Sequence, residues 1–244
     1  MTETTTSFAD RTVADLVAED YRKAGVFKRH GIDFCCGGGR TVRAVCEKKG
    51  LAYEALEAEL RQVEQAPPAH DDAAWTLDGL VRHIVETHHG YVRENIPLIR
   101  EFAAKVARVH GHANPEVVRI AELFDAVAAE LAAHMMKEEQ VLFPYIERLA
   151  AAQRDGKRPE RPFFGTVQNP IRMMEAEHET AGDLMKEIRR LSADYTPPAH
   201  ACNTYRVAYF KLEEFEADLH RHIHLENNIL FPRATMLERE LTAE

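Results

Sequence analysis

Apolar residues along most of the chain recur with the period of an amphipathic α-helix. Within residues 1–65 the apolar runs are short, with Val13, Leu16 and Val17 on one face and Gly50 placed where a helix would end. This pattern predicts a small helical domain over residues 1–65.

Residues 66–74 interrupt the helical period with two consecutive prolines and several polar side chains. Proline and polar clusters of this kind are typical of a linker. We therefore expect the boundary between two domains at residues 66–74.

Residues 75–244 contain four long segments with a 3.6-residue apolar period and no competing strand-like alternation. The segments are separated near residues 111–115, 155–165 and 196–198. Four amphipathic helices cannot bury their apolar faces singly. The sequence thus predicts an all-α fold, with an up-down-up-down four-helix bundle after the small domain.

The composition limits both the possible ligands and the possible cellular location. The 244 residues carry a formal net charge of −9, which disfavours nucleic acid and an anionic membrane surface as partners. The start of the sequence has no apolar stretch typical of a signal peptide, and no later run is long enough to cross a bilayer. We therefore expect a cytoplasmic protein with small ligands, in which the four cysteines are free thiols, metal ligands or redox groups.

The second and fourth bundle segments share a motif. His134 is followed four residues later by Glu138, and His222 by Glu226, and in both cases Phe-Pro stands nine residues after the histidine. Side chains at positions i and i+4 project from one face of a helix. An imidazole and a carboxylate with this spacing can reach the same small volume.

Both His/Glu pairs fall on the apolar stripes of their helices and therefore point into the predicted core. A bare carboxylate in a core is costly unless it is paired or binds a cation. The third segment places His178 on its apolar stripe as well. Although a single pair would suggest a hydrogen-bonded core network, two inward pairs and His178 together indicate a metal site.

The first bundle segment offers two neighbouring candidates, His88 and His89. The apolar stripe places His88 near its centre and His89 on its flank. Spacing favours His89 instead, because His89 precedes His134 by 45 residues and His178 precedes His222 by 44, as two helix-pair repeats would. The residue pattern alone leaves this choice open.

A ferritin-like di-iron site is the rival interpretation, since Glu86-x-x-His89 and Glu175-x-x-His178 fit its motif. Glu86 nevertheless falls nearly opposite the apolar stripe of its helix, and the ferritin arrangement gives no role to His134 or His222. A nitrogen-rich site is therefore the better interpretation.

The sequence resembles the iron-sulfur cluster repair di-iron proteins, the RIC family, over essentially its whole length. The motifs that carry the resemblance are Asp33-Phe-Cys-Cys-Gly-Gly38, Thr87-His-His89, Val109-His110, Ala133-His-Met-Met-Lys-Glu-Glu139, Met174-Glu-Ala-Glu-His178 and His222-x-x-Leu-Glu-Asn-Asn228. The family joins a short cysteine domain to a hemerythrin-like bundle, so the resemblance implies a hemerythrin-like fold for residues 75–244.

The resemblance also implies a ligand set for two non-haem irons, consisting of five histidines and two bridging glutamates. The matching positions are His89, His110, His134, His178, His222, Glu138 and Glu226. It favours His89 over His88, and it is the only ground for including His110. These donors and an oxo or hydroxo bridge would leave about one of the roughly twelve positions of two six-coordinate irons open to O₂, NO or peroxide.

Cys35 and Cys36 are adjacent and precede three glycines, which predicts a turn. Two small apolar residues in a tight domain would explain them equally well, but the resemblance implies a part in repair or metal transfer and makes them the candidate catalytic residues. Because the thiolate is the reactive form, we expect them to be partly exposed and more reactive than Cys46 or Cys202.

The function that the resemblance implies is repair of iron-sulfur clusters damaged by nitric oxide or oxidants, most simply by supplying iron. Damaged iron-sulfur proteins would be the partners, and a homodimer is a further option. Two alternatives stay open: a hemerythrin-like carrier or sensor of O₂ or NO, and a di-iron NO reductase. The additional cysteine domain favours repair over a simple carrier.

Overall fold

The structure, a computed structural model, describes residues 7–65 and 74–243. Within these ranges all regular elements are helical, apart from an isolated bridge between Thr12 and Thr41. This confirms the predicted all-α class. No helix in the described ranges is both long enough and apolar enough to cross a membrane. Of the linker predicted at 66–74, residues 66–73 lie outside the described residues.

The described helices form two compact units. The first comprises the described parts of Met1–Thr76 together with Ile223–Arg233, and the second comprises Leu77–His222 and Ala234–Glu244. The last helical segment of the chain therefore contributes to both units.

The first unit has four short helices: α1 (Val13–Glu19), α2 (Lys23–Arg29), α3 (Val42–Lys49) and α4 (Tyr53–Glu64). The side chain of Thr12 accepts a hydrogen bond from the amide of Asp15 and so caps the start of α1. Gly50 ends α3 with a left-handed backbone (φ 66°), which glycine adopts without strain. Helix α1 packs against residues 226–230.

The second unit is built from long helical segments that contain π-helical turns. In chain order the elements are α5 (Leu77–His83), a π turn (Ile84–His89), α6 (Gly90–His110), α7 (Glu116–Lys137), a π turn (Glu138–Leu142), α8 (Phe143–Asp155), α9 (Gln168–Leu191), α10 (Asn203–Leu225), a π turn (Glu226–Leu230) and α11 (Phe231–Thr242). The last π turn lies within the segment assigned to the first unit.

Two of the π turns have a cause in the sequence. The turns at 138–142 and 226–230 are each followed by a Phe-Pro pair, at Pro144 and Pro232. Proline lacks the backbone N–H that a regular helix would use, so the hydrogen-bond ladder must adjust on its N-terminal side. The Phe-Pro repeat in the sequence thus marks a local widening of the helix at both glutamates.

The core of the second unit is aromatic and aliphatic. Phe124 of α7 and Phe215 of α10 are fully buried and meet edge to face, with ring centroids 5.2 Å apart. Near the ends of the helices, buried Glu238 accepts hydrogen bonds from the Tyr145 hydroxyl at 2.7 Å and from the amide of Val167. These contacts join α8, α11 and the start of α9.

Candidate metal centre

Polar side chains with metal-binding atoms lie in the interior of the bundle. Each of them has 2% or less of its surface exposed. They are His89, His134, Glu138, His178, His222 and Glu226. Such burial is rare for ionisable groups unless they are paired or bind a cation.

The ligand atoms of these side chains form two overlapping groups, in each of which all atoms lie within 4.8 Å of one another. The first group is His89, Glu138, His222 and Glu226, and the second is His134, Glu138, His178 and Glu226. Each group thus has its own two histidines, and both groups share the same two carboxylates. The two carboxylates therefore lie within reach of both pairs of histidines.

Glu138 lies between the two histidine pairs. Its Oε2 atom is 3.4 Å from Nε2 of His89 and 3.3 Å from Nε2 of His134. Within the pairs, the Nε2 atoms of His89 and His222 are 3.2 Å apart, and those of His134 and His178 are 3.0 Å apart. All four imidazoles therefore direct Nε2 into one small volume.

The π turn at Ile84–His89 explains why the sequence left His88 and His89 undecided. A regular helix places residue 88 on the face of Ile84, one turn later, whereas a π turn has i to i+5 hydrogen bonds and brings residue 89 to that face. The structure directs His89 into the ligand group. No Phe-Pro pair follows this turn to signal it in the sequence.

Carboxylates that do not belong to the ligand groups orient two of the histidines. His89 Nδ1 lies 2.5 Å from Glu139 Oε1, and this oxygen also accepts a hydrogen bond from Arg93. His134 Nδ1 lies 3.0 Å from Glu177 Oε2. Burial disfavours the charged form of Glu139, but its hydrogen bonds with His89 and Arg93 outweigh burial and lower its pKa. A carboxylate on Nδ1 orients the ring and leaves Nε2 for a metal.

Glu177 is stabilised in the same way. Burial again opposes its ionisation, while hydrogen bonds with Lys137 and His134 lower its pKa overall. One histidine of each ligand group therefore has a charged carboxylate behind it. Sequence reasoning missed Glu139 and Glu177, although Glu139 directly follows a predicted ligand.

His88 is also buried but lies outside both ligand groups. Its Nδ1 atom is 2.8 Å from Asp218 Oδ1, and its ring stacks almost parallel on that of His222 with centroids 5.6 Å apart. This contact supports the position of the His222 ring.

His110 is the one residue of the predicted ligand set that the structure does not bring to these groups. Its Nε2 atom lies 3.3 Å from Sγ of Cys202, and its ring packs on Tyr205. The length of α6 explains why His110 lies away from His89. The 21 residues of this helix separate the two histidines by about 30 Å at a rise of ~1.5 Å per residue.

The ferritin-like alternative requires Glu86 and Glu175 to point inward. Both side chains are exposed in the structure. The exposed position of Glu86 agrees with its place opposite the apolar stripe. The two carboxylates at the centre come instead from Glu138 and Glu226.

The cysteine motif forms a compact loop in the first unit. The Sγ atoms of Cys35 and Cys36 are 3.9 Å apart, and Cys35 Sγ lies 3.5 Å from Asp33 Oδ1. The hydrogen bond with Cys36, burial and the nearby Asp33 raise the pKa of the Cys35 thiol well above its usual value. The expectation that both cysteines are partly exposed is therefore wrong for Cys35, which is buried, whereas Cys36 is half-buried.

The donor atoms in the bundle fit non-haem iron. Imidazole nitrogen and carboxylate oxygen are ligands that iron, manganese and zinc accept, and neither ligand group contains a thiol. The carboxylates behind His89 and His134 complete the second layer of contacts that protein metal sites normally have.

Comparisons with known proteins agree with this geometry. Residues 80–234 match the hemerythrin HHE cation binding domain, and residues 9–64 match ScdA_N, a domain of unknown function (DUF542). The "Iron-sulfur cluster repair protein YtfE" of Yersinia pestis (strain Pestoides F) is 40% identical over 217 residues, which are 87% of this chain and 91% of the relative. The protein of the same name from Yersinia pseudotuberculosis serotype IB (strain PB1/+) is 40% identical over 213 residues, 86% and 89% of the two chains.

These matches confirm the resemblance seen in the motifs. A hemerythrin domain implies that the bundle binds non-haem iron. The chain belongs to the family of iron-sulfur cluster repair proteins in which an ScdA_N domain is joined to a hemerythrin HHE cation binding domain.

Proposed function

We propose that the bundle binds two iron ions and that the protein repairs iron-sulfur clusters damaged by nitric oxide or oxidants by supplying iron. The observation that supports this most strongly is the pair of histidine groups that share Glu138 and Glu226. The name of the 40% identical relatives supports the function. The clients would be damaged iron-sulfur proteins in the cytoplasm.

In this proposal His89 and His222 would hold one ion, and His134 and His178 would hold the other. Glu138 and Glu226 would bind both ions, since both carboxylates belong to both ligand groups. His110 is left out of the proposed set because its ring lies beside Cys202 and Tyr205. The proposed site therefore has four histidines rather than the five that the resemblance implies.

The smaller ligand set leaves more coordination positions that exchangeable ligands can occupy. Four imidazoles and two bridging carboxylates fill about eight of the roughly twelve positions of two six-coordinate ions, and an oxo or hydroxo bridge fills about two more. About two positions then stay open. When bound, the irons would supply exchangeable metal and a place for a small ligand such as NO or O₂.

The protein residues around the site hold the ligands in place. Glu139 and Glu177 fix the tautomer and orientation of His89 and His134, so that Nε2 carries the lone pair toward the centre. The stacked His88 supports the ring of His222. The buried position of the four histidines, Glu138 and Glu226 excludes bulk water from the ligand atoms.

Repair of a damaged client tests the proposed function. An iron-sulfur dehydratase inactivated by NO would be incubated with the iron-loaded protein, with Glu226→Gln protein and with equimolar free ferrous iron. We expect the parent to restore dehydratase activity faster than free iron, and the variant to restore less. Recovery no faster than with free iron contradicts repair and favours a carrier or sensor of O₂ or NO.

The third candidate, a di-iron NO reductase, predicts a different product. Catalytic formation of nitrous oxide by the iron-loaded protein, without a damaged client, would favour it. The open coordination positions allow NO to bind under all three proposals, so binding of NO alone does not separate them.

We further propose that Cys35 and Cys36 take part in repair. Their adjacent thiols and the neighbouring carboxylate of Asp33 form one cluster of possible ligands. A Cys35→Ala/Cys36→Ala variant with full iron content should repair damaged clusters more slowly than the parent. Repair at the parental rate would leave the first domain with only a docking or folding role.

A further inference from the structure

A third cluster of metal-binding atoms lies in the first unit, among residues that the histidine and glutamate groups do not use. Asp33, Cys35 and Cys36 each offer one ligand atom, and these atoms all lie within 4.8 Å of one another. Cys35 is buried, while Asp33 and Cys36 are half-buried. The cluster is therefore partly buried.

The loop that carries the cluster is held by hydrogen bonds from its own unit. The side-chain amide of Asn227 donates to the carbonyl of Cys35 at 3.2 Å, and that of Asn228 donates to the carbonyl of Phe34 at 3.0 Å. Asp33 Oδ1 accepts from the amides of Cys35 and Cys36, which fixes the carboxylate beside both thiols. The three donors are thus positioned before any ligand binds.

Close packing around Gly38, two residues after Cys36, also restricts the loop. A Cβ atom at Gly38 would lie only 2.5 Å from the carbonyl oxygen of Phe34 and 3.0 Å from Cβ of Ala14. The Gly38 carbonyl in turn accepts a hydrogen bond from the amide of Ala14. The turn around the two cysteines is therefore anchored to α1 as well as to residues 227–228.

The donors define the class of ion. Two thiolate sulfurs and a carboxylate oxygen suit a borderline or soft divalent cation better than Mg²⁺ or Ca²⁺, which prefer oxygen ligands. A structural zinc site normally has four protein ligands, whereas a site with three keeps a position open. A three-donor cluster therefore leaves at least one coordination position for a ligand from outside the protein.

We propose that Asp33, Cys35 and Cys36 form a second metal site, separate from the histidine and glutamate centre, that binds one divalent cation with an open coordination position. Binding replaces the two thiol S–H bonds with two metal–sulfur bonds and releases two protons, with no change in oxidation state. The choice of ferrous iron as the ion in the cell rests on the proposed function, but the site itself does not.

Titration with Co²⁺ tests the site. The probe would be added without oxygen to the reduced full-length protein whose bundle already contains iron, and thiolate-to-cobalt charge-transfer absorption would be recorded. We expect one equivalent of Co²⁺ to produce this absorption. Cys36→Ser should abolish the two-thiolate spectrum, while Cys202→Ser, an exposed cysteine outside the cluster, should leave it unchanged.

Asp33→Asn is the decisive variant. The amide oxygen of asparagine can still accept the hydrogen bonds from the amides of Cys35 and Cys36, so the turn is kept while the charged ligand is lost. We expect the affinity for Co²⁺ to fall at least about tenfold. Absence of thiolate absorption in the parent, or equal affinity in Asp33→Asn, would overturn the proposal.

The titration is independent of repair activity. Cobalt binding by the three residues combined with no repair of a damaged dehydratase would contradict the proposed function alone. Repair without thiolate–cobalt absorption would contradict the second site alone.

Discussion

The Nε2 atoms of His89 and His222 face each other at 3.2 Å in the interior of the bundle, although the two residues are far apart in the sequence. Each ring is almost completely buried, and Glu138 Oε2 lies 3.4 Å from the same Nε2 of His89. Two imidazole nitrogens and a carboxylate oxygen this close together are stabilised when a cation lies between them.

Loss of the Glu138 carboxylate should loosen both of the proposed irons. In Glu138→Gln protein a neutral amide replaces the charged ligand in each group, since both groups contain Glu138. We expect the iron content, measured by atomic absorption, to fall from about two ions per chain to less than one. Glu86→Gln is the matched control, because Glu86 is exposed and belongs to neither group. Iron loss in the control instead would favour the ferritin-like arrangement.

Loss of the carboxylate behind His89 should speed iron release without emptying the site. Glu139→Gln keeps the shape of the side chain but removes the charge that His89 Nδ1 and Arg93 face. Removal of such an outer partner typically lowers metal affinity by about 10- to 100-fold. Transfer of iron to a chelator measures the rate, with the exposed Glu94→Gln as control. Equal rates in parent and Glu139→Gln would contradict the supporting role of Glu139.

Low pH should lower the stability of the first unit because Asp20 becomes protonated. Burial raises the pKa of this carboxyl, but hydrogen bonds from the side chain and backbone of Arg22 outweigh burial and lower its pKa overall. A lowered folded-state pKa stabilises the fold above the unfolded value of about 3.9, and this stabilisation is lost as the pH falls through the folded-state pKa.

Asp20→Asn should therefore cost about 1–3 kcal/mol at pH 7, and the difference from the parent should narrow below about pH 4. Hydrogen exchange of the α1 and α2 amides measures this free energy of opening. The exposed Asp15→Asn provides a control in α1. A difference that does not depend on pH would show that the Asp20 charge does not stabilise the unit.

A methyl group at Gly38 should disturb the cysteine loop, whereas one at Gly39 should not. The added carbon at Gly38 meets the Phe34 carbonyl, but at Gly39 nothing lies within 4 Å. We expect Gly38→Ala to destabilise the first unit by about 1–3 kcal/mol. Gly39→Ala should be neutral or slightly stabilising. Equal effects on urea unfolding of the two variants would contradict the close packing of the loop.

The buried faces of the helices can be predicted from the sequence. Long apolar stripes indicate these faces and place His134, Glu138, His178, His222 and Glu226 in the interior, and the structure buries all five. The four-residue spacing places His134 and Glu138 on one helix face in the structure because α7 is a regular helix up to Lys137.

The positions of His89 and His110 need information that helical periodicity does not contain. A π turn shifts the register between Ile84 and His89, so a regular helical wheel favours His88, whereas the structure brings His89 into the ligand group. The resemblance assigned His110, but the rise along α6 places it far from His89.

Anomalous diffraction at the iron edge, from crystals of the iron-loaded protein, would locate the proposed irons among the four histidines, Glu138 and Glu226. We expect two peaks about 3.5–4 Å apart, one beside His89 and His222 and the other beside His134 and His178. A single peak between the helices, or an iron bound by His110, would contradict this expectation.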